Sequence, residues 1–301
     1  MAASWSASAL AAQLLLAAGL AAALAAAGSS GLALAAWVLL ELCAFALLLA
    51  VAPLALALWK APGQLPRIRA GWVARAVCAD ALAFEAALGR MALEPWRAPP
   101  DSPAVTAATL ARPVLLIHGF ACSRAVWRPL LARLRAAGVG PTRAVSLEPL
   151  HAGIETHVAQ VLRVLEALAA GSGGGTVTIV AHSMGGLVAR AALRRARAGL
   201  IGRIITLGAP HHGTALACWF PWPGVRQMCP GASWLEELNA CQEGRLGIPV
   251  TTLYSLDDNY IVPAASARLE GARAIEFRGL GHLSLLDSPR VLRQVMSELL
   301  A

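Results

Sequence analysis

The feature that most constrains the fold is an alternation of short apolar runs and amphipathic helical segments after Pro103. The apolar runs contain β-branched residues and are the length of buried strands, whereas the segments between them repeat apolar residues at helical spacing. Predicted strands cover residues 114–117, 143–147, 176–180, 203–207, 250–254 and 272–277, and predicted helices cover 127–137, 155–169, 184–197 and 289–300. Such an order predicts an α/β fold, a mostly parallel sheet with helices on both faces.

The amino-terminal part has a different composition. Between residues 9 and 59 the only charged residue is Glu41. Two apolar runs, 9–27 and 32–59, flank a Gly/Ser turn, and each is long enough for a transmembrane helix of ~20 residues. We therefore predict a membrane anchor of two transmembrane helices at residues 1–59. A cleaved signal peptide is the alternative for the first run, although no Lys or Arg precedes it.

The charges that follow the second run bear on orientation. Lys60, Arg67 and Arg69 lie just after it, and positive flanks favour the cytoplasmic side, although folded domains are exported despite them. Abundant Ala, Gly and Arg with a single Lys is typical of a high-GC bacterial genome, so the expected location is a bacterial inner membrane. The net charge of +8 suits anionic lipid headgroups. Basic residues are not clustered with aromatic ones, so no nucleic-acid partner is predicted.

The remaining chain divides in two. Residues 60–102 are predicted to be a connector with an amphipathic helix near 70–91, and residues 103–301 the water-soluble domain. No Cys-x-x-Cys spacing occurs, so structural zinc is not predicted, nor any other metal or cofactor. Cys218, Cys229 and Cys241 lie in one segment, and any one pair of them can form a disulfide if the domain is exported.

A serine stands at the junction of a predicted strand and a predicted helix, in the segment Ala181-His182-Ser183-Met184-Gly185. A sharp bend there exposes the Ser183 hydroxyl at the carboxyl-terminal edge of the sheet. Small residues at 181 and 185 are needed because strand and helix backbones pass close by. The pattern matches the Gly-x-Ser-x-Gly nucleophile elbow, with Ala in the first glycine position.

From about residue 112 to its end the chain resembles bacterial lipases and esterases of the α/β-hydrolase superfamily. Four motifs in the expected order carry the resemblance: Ile117-His118-Gly119-Phe120, Ala181-His182-Ser183-Met184-Gly185, Thr206-Leu207-Gly208-Ala209-Pro210-His211-His212-Gly213-Thr214 and Gly281-His282-Leu283. The resemblance implies an α/β-hydrolase fold without a cofactor, and a triad in the order Ser, acid, His.

A serine nucleophile needs a base, and the base needs an acid. Of the seven histidines, His282 is predicted to be the base because it follows the last strand. Asp257 and Asp258 are both candidates for the acid. We favour Asp258 because Ile261 and Pro263 follow it at the spacing seen in similar hydrolases.

The resemblance also implies two backbone donors for the oxyanion. One is the N–H of Met184, and the other is the N–H of the residue after His-Gly, Phe120. An aromatic insert near 215–240 corresponds to the mobile cap of similar lipases, although the same aromatic residues also suit packing against the body. Its composition favours an apolar substrate.

The predicted function is hydrolysis of carboxylic esters by a membrane-anchored serine hydrolase, with lipid or fatty acyl esters as the expected substrates. An acyltransferase would use the same Ser183, Asp258 and His282 with an alcohol in place of water. A noncatalytic membrane adaptor on a hydrolase scaffold is a third possibility, and the intact triad argues against it.

Overall fold

The computed structural model describes residues 70–94, 110–242 and 246–301, together with Val51. No helix within these residues is both long enough and apolar enough to cross a membrane. The predicted transmembrane helices at 9–27 and 32–59 lie, except for Val51, outside the described residues.

Seven helices and six strands alternate along the described residues. The strands are β1 Leu110–Ile117, β2 Val139–Val145, β3 Val177–His182, β4 Ile201–Leu207, β5 Val250–Ser255 and β6 Arg273–Phe277. The helices are α1 Ala70–Ala92, α2 Arg128–Ala136, α3 Ile154–Ala170, α4 Met184–Arg195, α5 Pro223–Arg226, α6 Ser233–Gln242 and α7 Pro289–Leu300. Short 3₁₀ turns join several of them.

The six strands form one parallel sheet in the order β2-β1-β3-β4-β5-β6. The chain moves outward from β1 to β2 and then returns past β1 to β3. The connection after β1 therefore runs towards one edge of the sheet, and the connection after β3 runs towards the other edge. This divergence opens a crevice at the carboxyl ends of these two strands. The loop after β1 and the turn with Ser183 both lie at this crevice.

Helices cover both faces of the sheet, as the alternation in the sequence predicts. Strand β1 illustrates the cause, because successive side chains of a strand point to opposite faces. Leu115 and Ile117 belong to one apolar core, which they share with α3 and α4, whereas Val114 and Leu116 belong to the other, which includes residues of α1, α2 and α7. All four side chains are fully buried.

The helix predicted within the connector is α1, and it packs into the domain. Ala87 and Met91 are buried in the same core as α2 and α7. Its alanine-rich surface allows close approach to the neighbouring turns. The connector therefore contributes a structural element to the domain that follows it.

The aromatic insert has two parts with different environments. Leu235 and Trp234 of α6 pack against the core on the α3 side, and the Trp234 indole donates to Glu155 at 3.0 Å. Trp219, Phe220 and Trp222 are instead substantially exposed. Core packing accounts for the second half of the insert, and the first half presents an aromatic surface.

Candidate active site

Ser183 occupies a sharp turn between β3 and α4. Its φ of 55° and ψ of −128° lie in a region that a non-glycine residue rarely adopts. A Cβ at Gly185 would come within 2.6 Å of the carbonyl oxygens of Ile117 and His118, and one at Gly186 within 2.4 Å of Ala209. Both positions must be glycine because neighbouring strand ends press against the first turn of α4. This packing holds the Ser183 turn at the edge of the sheet.

A buried histidine and a buried aspartate form a pair near this turn. His282 Nδ1 lies 2.9 Å from Asp258 Oδ2, and the two residues are 5% and 6% exposed. The other oxygen of Asp258 accepts the backbone N–H groups of Tyr260 and Ile261, both at 2.9 Å. The His282 backbone N–H donates to Asn259 Oδ1 at 2.9 Å. Both oxygens of the carboxylate therefore have fixed partners, so its orientation towards the imidazole is fixed.

Backbone contacts connect the Ser183 turn to this pair. The N–H of Ser183 donates to the carbonyl of Leu207 at 2.9 Å. Gly208, which follows Leu207, has a φ of 54°. A Cβ built on Gly208 would lie 3.1 Å from Asp258 Oδ2 and 3.2 Å from His282 Nδ1. Ser183 follows β3, Asp258 follows β5 and His282 follows β6, and the segment after β4 with Gly208 links the Ser183 turn to the Asp258–His282 pair.

The surroundings of His282 act on its pKa in opposite directions. Burial lowers the pKa, but the charge and hydrogen bond of Asp258, with a further contribution from the charge of Asp80, outweigh it and raise the pKa above the ordinary histidine value. A basic imidazole next to a serine is suited to accept the hydroxyl proton.

Asp257 points away from the imidazole. Its carboxylate accepts the backbone N–H of Gly279 at 2.6 Å. Adjacent side chains on this segment therefore serve different partners, and Asp258 is the aspartate that faces His282.

The loop after β1 passes directly over the Ser183 turn. A Cβ at Gly119 would lie 2.7 Å from Ser183 Cβ, so only glycine fits there. In the described residues, Ala121 and Ser183 are the two non-glycine residues with positive φ, and both belong to this site. His118 Nε2 accepts the N–H of Leu147 at 2.9 Å, so its Nδ1–H donates to the Gly119 carbonyl at 2.7 Å. Burial lowers the pKa of His118 to about 4, which keeps this bridge neutral.

The backbone N–H groups assigned to the oxyanion belong to this loop and to the start of α4. Phe120 follows Gly119 in the loop, and Met184 is the first residue of α4. The side chain of Phe120 packs against the aromatic insert, and its ring centroid lies 5.3 Å from that of Trp222. A Cβ at Gly224 of α5 would lie 3.7 Å from Met184 Sδ. The insert therefore borders both positions.

Two further histidines lie nearby without facing the Asp258 carboxylate. The ring of His182 is 4.6 Å from that of His282, and its Nε2 is 3.2 Å from the His282 carbonyl oxygen. His211 contacts Thr206 through Nε2 at 3.1 Å and lies beside the buried Arg190. Burial lowers the pKa of both imidazoles well below the ordinary value, so both are neutral.

Cys218 and Cys229 form a disulfide within the aromatic insert, with 4.9 Å between their Cα atoms. Cys241, the third member of that cluster, is free and exposed. The bond joins the two ends of the segment that carries the exposed aromatic residues. Within residues 70–94, 110–242 and 246–301, no group of three or more His, Cys, Asp or Glu side chains is arranged to hold a metal ion.

Sequence reasoning missed two residues of the site. Asp80 of α1 is buried and accepts the backbone N–H groups of Leu283 and Ser284, directly after His282. Asn259 accepts the N–H of His282 itself. An aspartate flanked by alanines in a helix rich in apolar residues was the available signal for Asp80, but its partner is about two hundred positions away in the chain.

Comparison with known proteins identifies the fold. Residues 153–219 match the sequence profile of a PGAP1-like alpha/beta domain. No curated protein sequence matches this chain significantly. The mature form of Bacillus licheniformis lipase BlEst2 has a TM-score of 0.55 and 20% identity, over 66% of this chain and 96% of that one. Aspergillus fumigatus lipase B has a TM-score of 0.56 and 18% identity, over 65% of this chain and 55% of that one.

At these identities, structural likeness establishes the fold. The parallel sheet, the serine at the strand-to-helix turn and the similarity to two solved lipases together show that the chain has an α/β-hydrolase fold and is lipase/esterase-like in structure.

Proposed function

We propose that this α/β-hydrolase-fold protein is a membrane-anchored serine hydrolase that cleaves carboxylic esters of fatty acyl groups. The observation that carries the proposal is the buried Asp258–His282 pair beside the strained turn of Ser183. A buried carboxylate–imidazole pair next to a serine has a direct use in nucleophilic catalysis.

In the first half-reaction the Ser183 oxygen attacks the ester carbonyl carbon while His282 Nε2 accepts the hydroxyl proton. Asp258 holds the Nδ1–H of His282 and stabilises the imidazolium that forms. The tetrahedral intermediate collapses when the bond to the alkoxy group breaks. His282 returns the proton to that group, so an alcohol leaves and Ser183 carries the acyl group.

In the second half-reaction water takes the place of the alcohol. His282 removes a proton from the water as its oxygen attacks the acyl carbon, and it returns the proton to Ser183 as the carboxylic acid forms. Both tetrahedral intermediates carry an oxyanion, and the backbone N–H groups of Phe120 and Met184 are its proposed donors. Loss of one such donor typically costs about 3 kcal/mol of transition-state stabilisation.

The aromatic surface supports an apolar acyl group as the substrate. Phe220 and Trp222 stack with centroids 5.5 Å apart, and Trp222 contacts Phe120 of the loop over Ser183. An acyl chain leaving the carbonyl site on this side would meet aromatic rings that are otherwise exposed to water. Bacillus licheniformis BlEst2 and Aspergillus fumigatus lipase B, two similar solved structures, are both lipases, which agrees with this substrate class.

The test is turnover of nitrophenyl esters of graded acyl length by the detergent-solubilised full chain. We expect activity that rises with acyl length, and covalent labelling of Ser183 by a fluorophosphonate. Ser183→Ala is expected to abolish labelling and to reduce turnover by several powers of ten, as loss of a triad member does. Ser172→Ala, which removes a hydroxyl bound to the Leu168 carbonyl on the surface, is the matched control.

Ester turnover that persists in Ser183→Ala would contradict the proposal. A parallel reaction with an added acceptor alcohol distinguishes hydrolysis from acyl transfer, because a transferase would release a new ester in place of the free acid.

The anchor belongs to the same proposal and has its own test. The composition of residues 1–59 supports a multi-pass location in a bacterial inner membrane. We expect the full chain to stay with membranes through high salt and alkaline carbonate. A chain that begins near residue 60 retains α1 but lacks the two apolar runs. We expect high salt or alkaline carbonate to extract it from membranes, and we expect its Ser183 to remain reactive. Full-length protein in the soluble fraction would refute the anchor.

A further inference from the structure

The amphipathic helix α1 carries a buried carboxylate that the reaction described above does not use. Asp80 is 1% exposed, and a buried carboxylate is strongly unfavourable unless partners satisfy it. Burial raises the pKa of Asp80 to about 6, against the lowering effect of its hydrogen bond from Ser284. Apolar packing alone gives no reason for an aspartate at this position.

The partners of Asp80 are the backbone groups next to the proposed base. Its Oδ1 accepts the N–H of Leu283 at 2.6 Å and that of Ser284 at 2.9 Å, which are the two residues after His282. A Cβ at Gly281, the residue before His282, would lie 2.5 Å from Asp80 Cβ. The glycine of the Gly281-His282 motif is therefore required by the close approach of α1.

The carboxyl-terminal end of α1 reaches the other loop of the site. Glu94, just after the helix, accepts a hydrogen bond from the Ser123 hydroxyl and forms an ion pair with Arg124 at 2.9 Å. These residues follow the Gly119-Phe120 turn. Between the two ends, Arg90 pairs with Asp287 at 2.8 Å. Helix α1 thus ties the loop that carries His282 to the loop that carries the oxyanion donor.

We propose that Asp80 is a positioning residue for His282, fixing the loop that carries the base by accepting the two backbone N–H groups that follow it. The inference rests on the proposed function, because it assigns a role within the same triad. Asp80 also acts on the imidazole through its charge. The titratable groups around His282 are Asp258 after β5, Asp80 on α1 and His182 at the end of β3, with the Tyr260 ring at 5.3 Å.

Three variants of the full-length, detergent-solubilised chain separate these effects. Asp80→Asn keeps an oxygen acceptor but removes the charge, and Asp80→Ala removes both. Asp287→Asn is the matched control, because it changes a carboxylate that ties the same helix to the same segment through Arg90 without contacting the two N–H groups after His282. Each variant is measured for kcat and KM against pH, for thermal unfolding, and for the titration of His282 by NMR with labelled histidine.

Removing the negative charge of Asp80 disfavours the imidazolium, so the pKa of His282 falls. We therefore expect Asp80→Asn to move the acidic limb of kcat/KM, and the NMR titration of His282, to lower pH. Asp80→Ala is expected to lower kcat by up to ~10²-fold with KM little changed, as misplacement of a reacting group does. In Asp287→Asn we expect kcat and the acidic limb of the kcat/KM profile to be close to those of the unaltered protein.

The proposal is overturned if Asp80→Ala keeps the kcat of the unaltered protein, if Asp80→Asn leaves the His282 titration unchanged, or if Asp287→Asn has the same effects as the Asp80 variants. Failure of the proposed function looks different, since the unaltered protein would then lack ester turnover and Ser183 labelling. The His282 titration still decides the role of Asp80 in that case. If Asp80→Ala does not fold, the titration of Asp80→Asn remains the deciding measurement.

Discussion

Replacing Asp258 with asparagine tests the geometry of the site most directly. Asp258 Oδ1 accepts two backbone N–H groups, from Tyr260 and Ile261, and Oδ2 faces His282 Nδ1. In Asp258→Asn the side-chain oxygen must keep the two backbone donors, because an NH₂ group cannot accept them. The NH₂ group then faces His282 and donates to Nδ1. This forces the imidazole proton onto Nε2, where a base for Ser183 needs a lone pair.

The expected magnitude follows from this change of tautomer. The same acid-to-amide change in a serine protease lowers kcat by ~10⁴-fold, which corresponds to ~5 kcal/mol of activation free energy. The backbone hydrogen bonds and the side-chain volume are retained, so the thermal unfolding midpoint should change little. The assay is kcat/KM for a nitrophenyl ester, after both variants and the unaltered protein have been shown to unfold at similar temperatures.

Asp257→Asn is the matched control because it makes the same chemical change one residue away. Its side-chain oxygen can still accept the Gly279 N–H, so the loss is limited to about 1 kcal/mol, or about fivefold in rate. Equal losses in the two variants, or more than about a tenth of the activity left in Asp258→Asn, would refute the reasoning. The reverse ranking would assign the acid role to Asp257.

Three further results are expected. Gly119→Ala should still fold but lower kcat by ~10²-fold or more, because the new Cβ would come within 2.7 Å of Ser183 Cβ and displace the oxyanion loop. An unchanged rate of single-turnover acylation would contradict this. His118 has a pKa of about 4 in the folded state but about 6.5 when unfolded, so only the unfolded chain takes up its proton as the pH falls from about 7 to about 5. The free energy of unfolding should therefore fall by ~2 kcal/mol over this range. If His118→Asn loses the same amount of stability over this range, His118 is not the cause. If the domain faces an oxidising compartment, Cys218 and Cys229 should resist alkylation in intact cells until reduced, whereas rapid labelling without reductant would place them on the reducing side.

For the proposed membrane anchor, the disulfide and the flanking charges favour opposite locations of the domain. Arginines after the second apolar run favour a cytoplasmic domain, but this rule describes short flanks and is often overridden by exported domains. A disulfide is rare in the cytosol of most bacteria, so the Cys218–Cys229 bond supports the oxidising side. The sequence showed that these cysteines cluster, but only the folded insert shows which two approach each other.

Local sequence determined the sheet and the serine turn. The apolar runs that predicted strands all lie in the parallel sheet, and shifts are confined to the ends, as for the strand expected at 143–147 and found at Val139–Val145. Periodicity suffices here because side-chain spacing in strands and helices depends on residues only a few positions apart. The same is true of Ser183, whose setting between strand and helix is encoded by its immediate neighbours.

Contacts between distant parts of the chain were decided only by the tertiary structure. Asp257 and Asp258 are chemically identical, and the one that reaches His282 depends on how the loops after β5 and β6 pack together. Asp80 resembles an ordinary polar residue of a connector until α1 docks beside Gly281. Short-range patterns record the backbone conformation of each segment, whereas the partner of a buried carboxylate depends on which remote segment folding brings within hydrogen-bond distance.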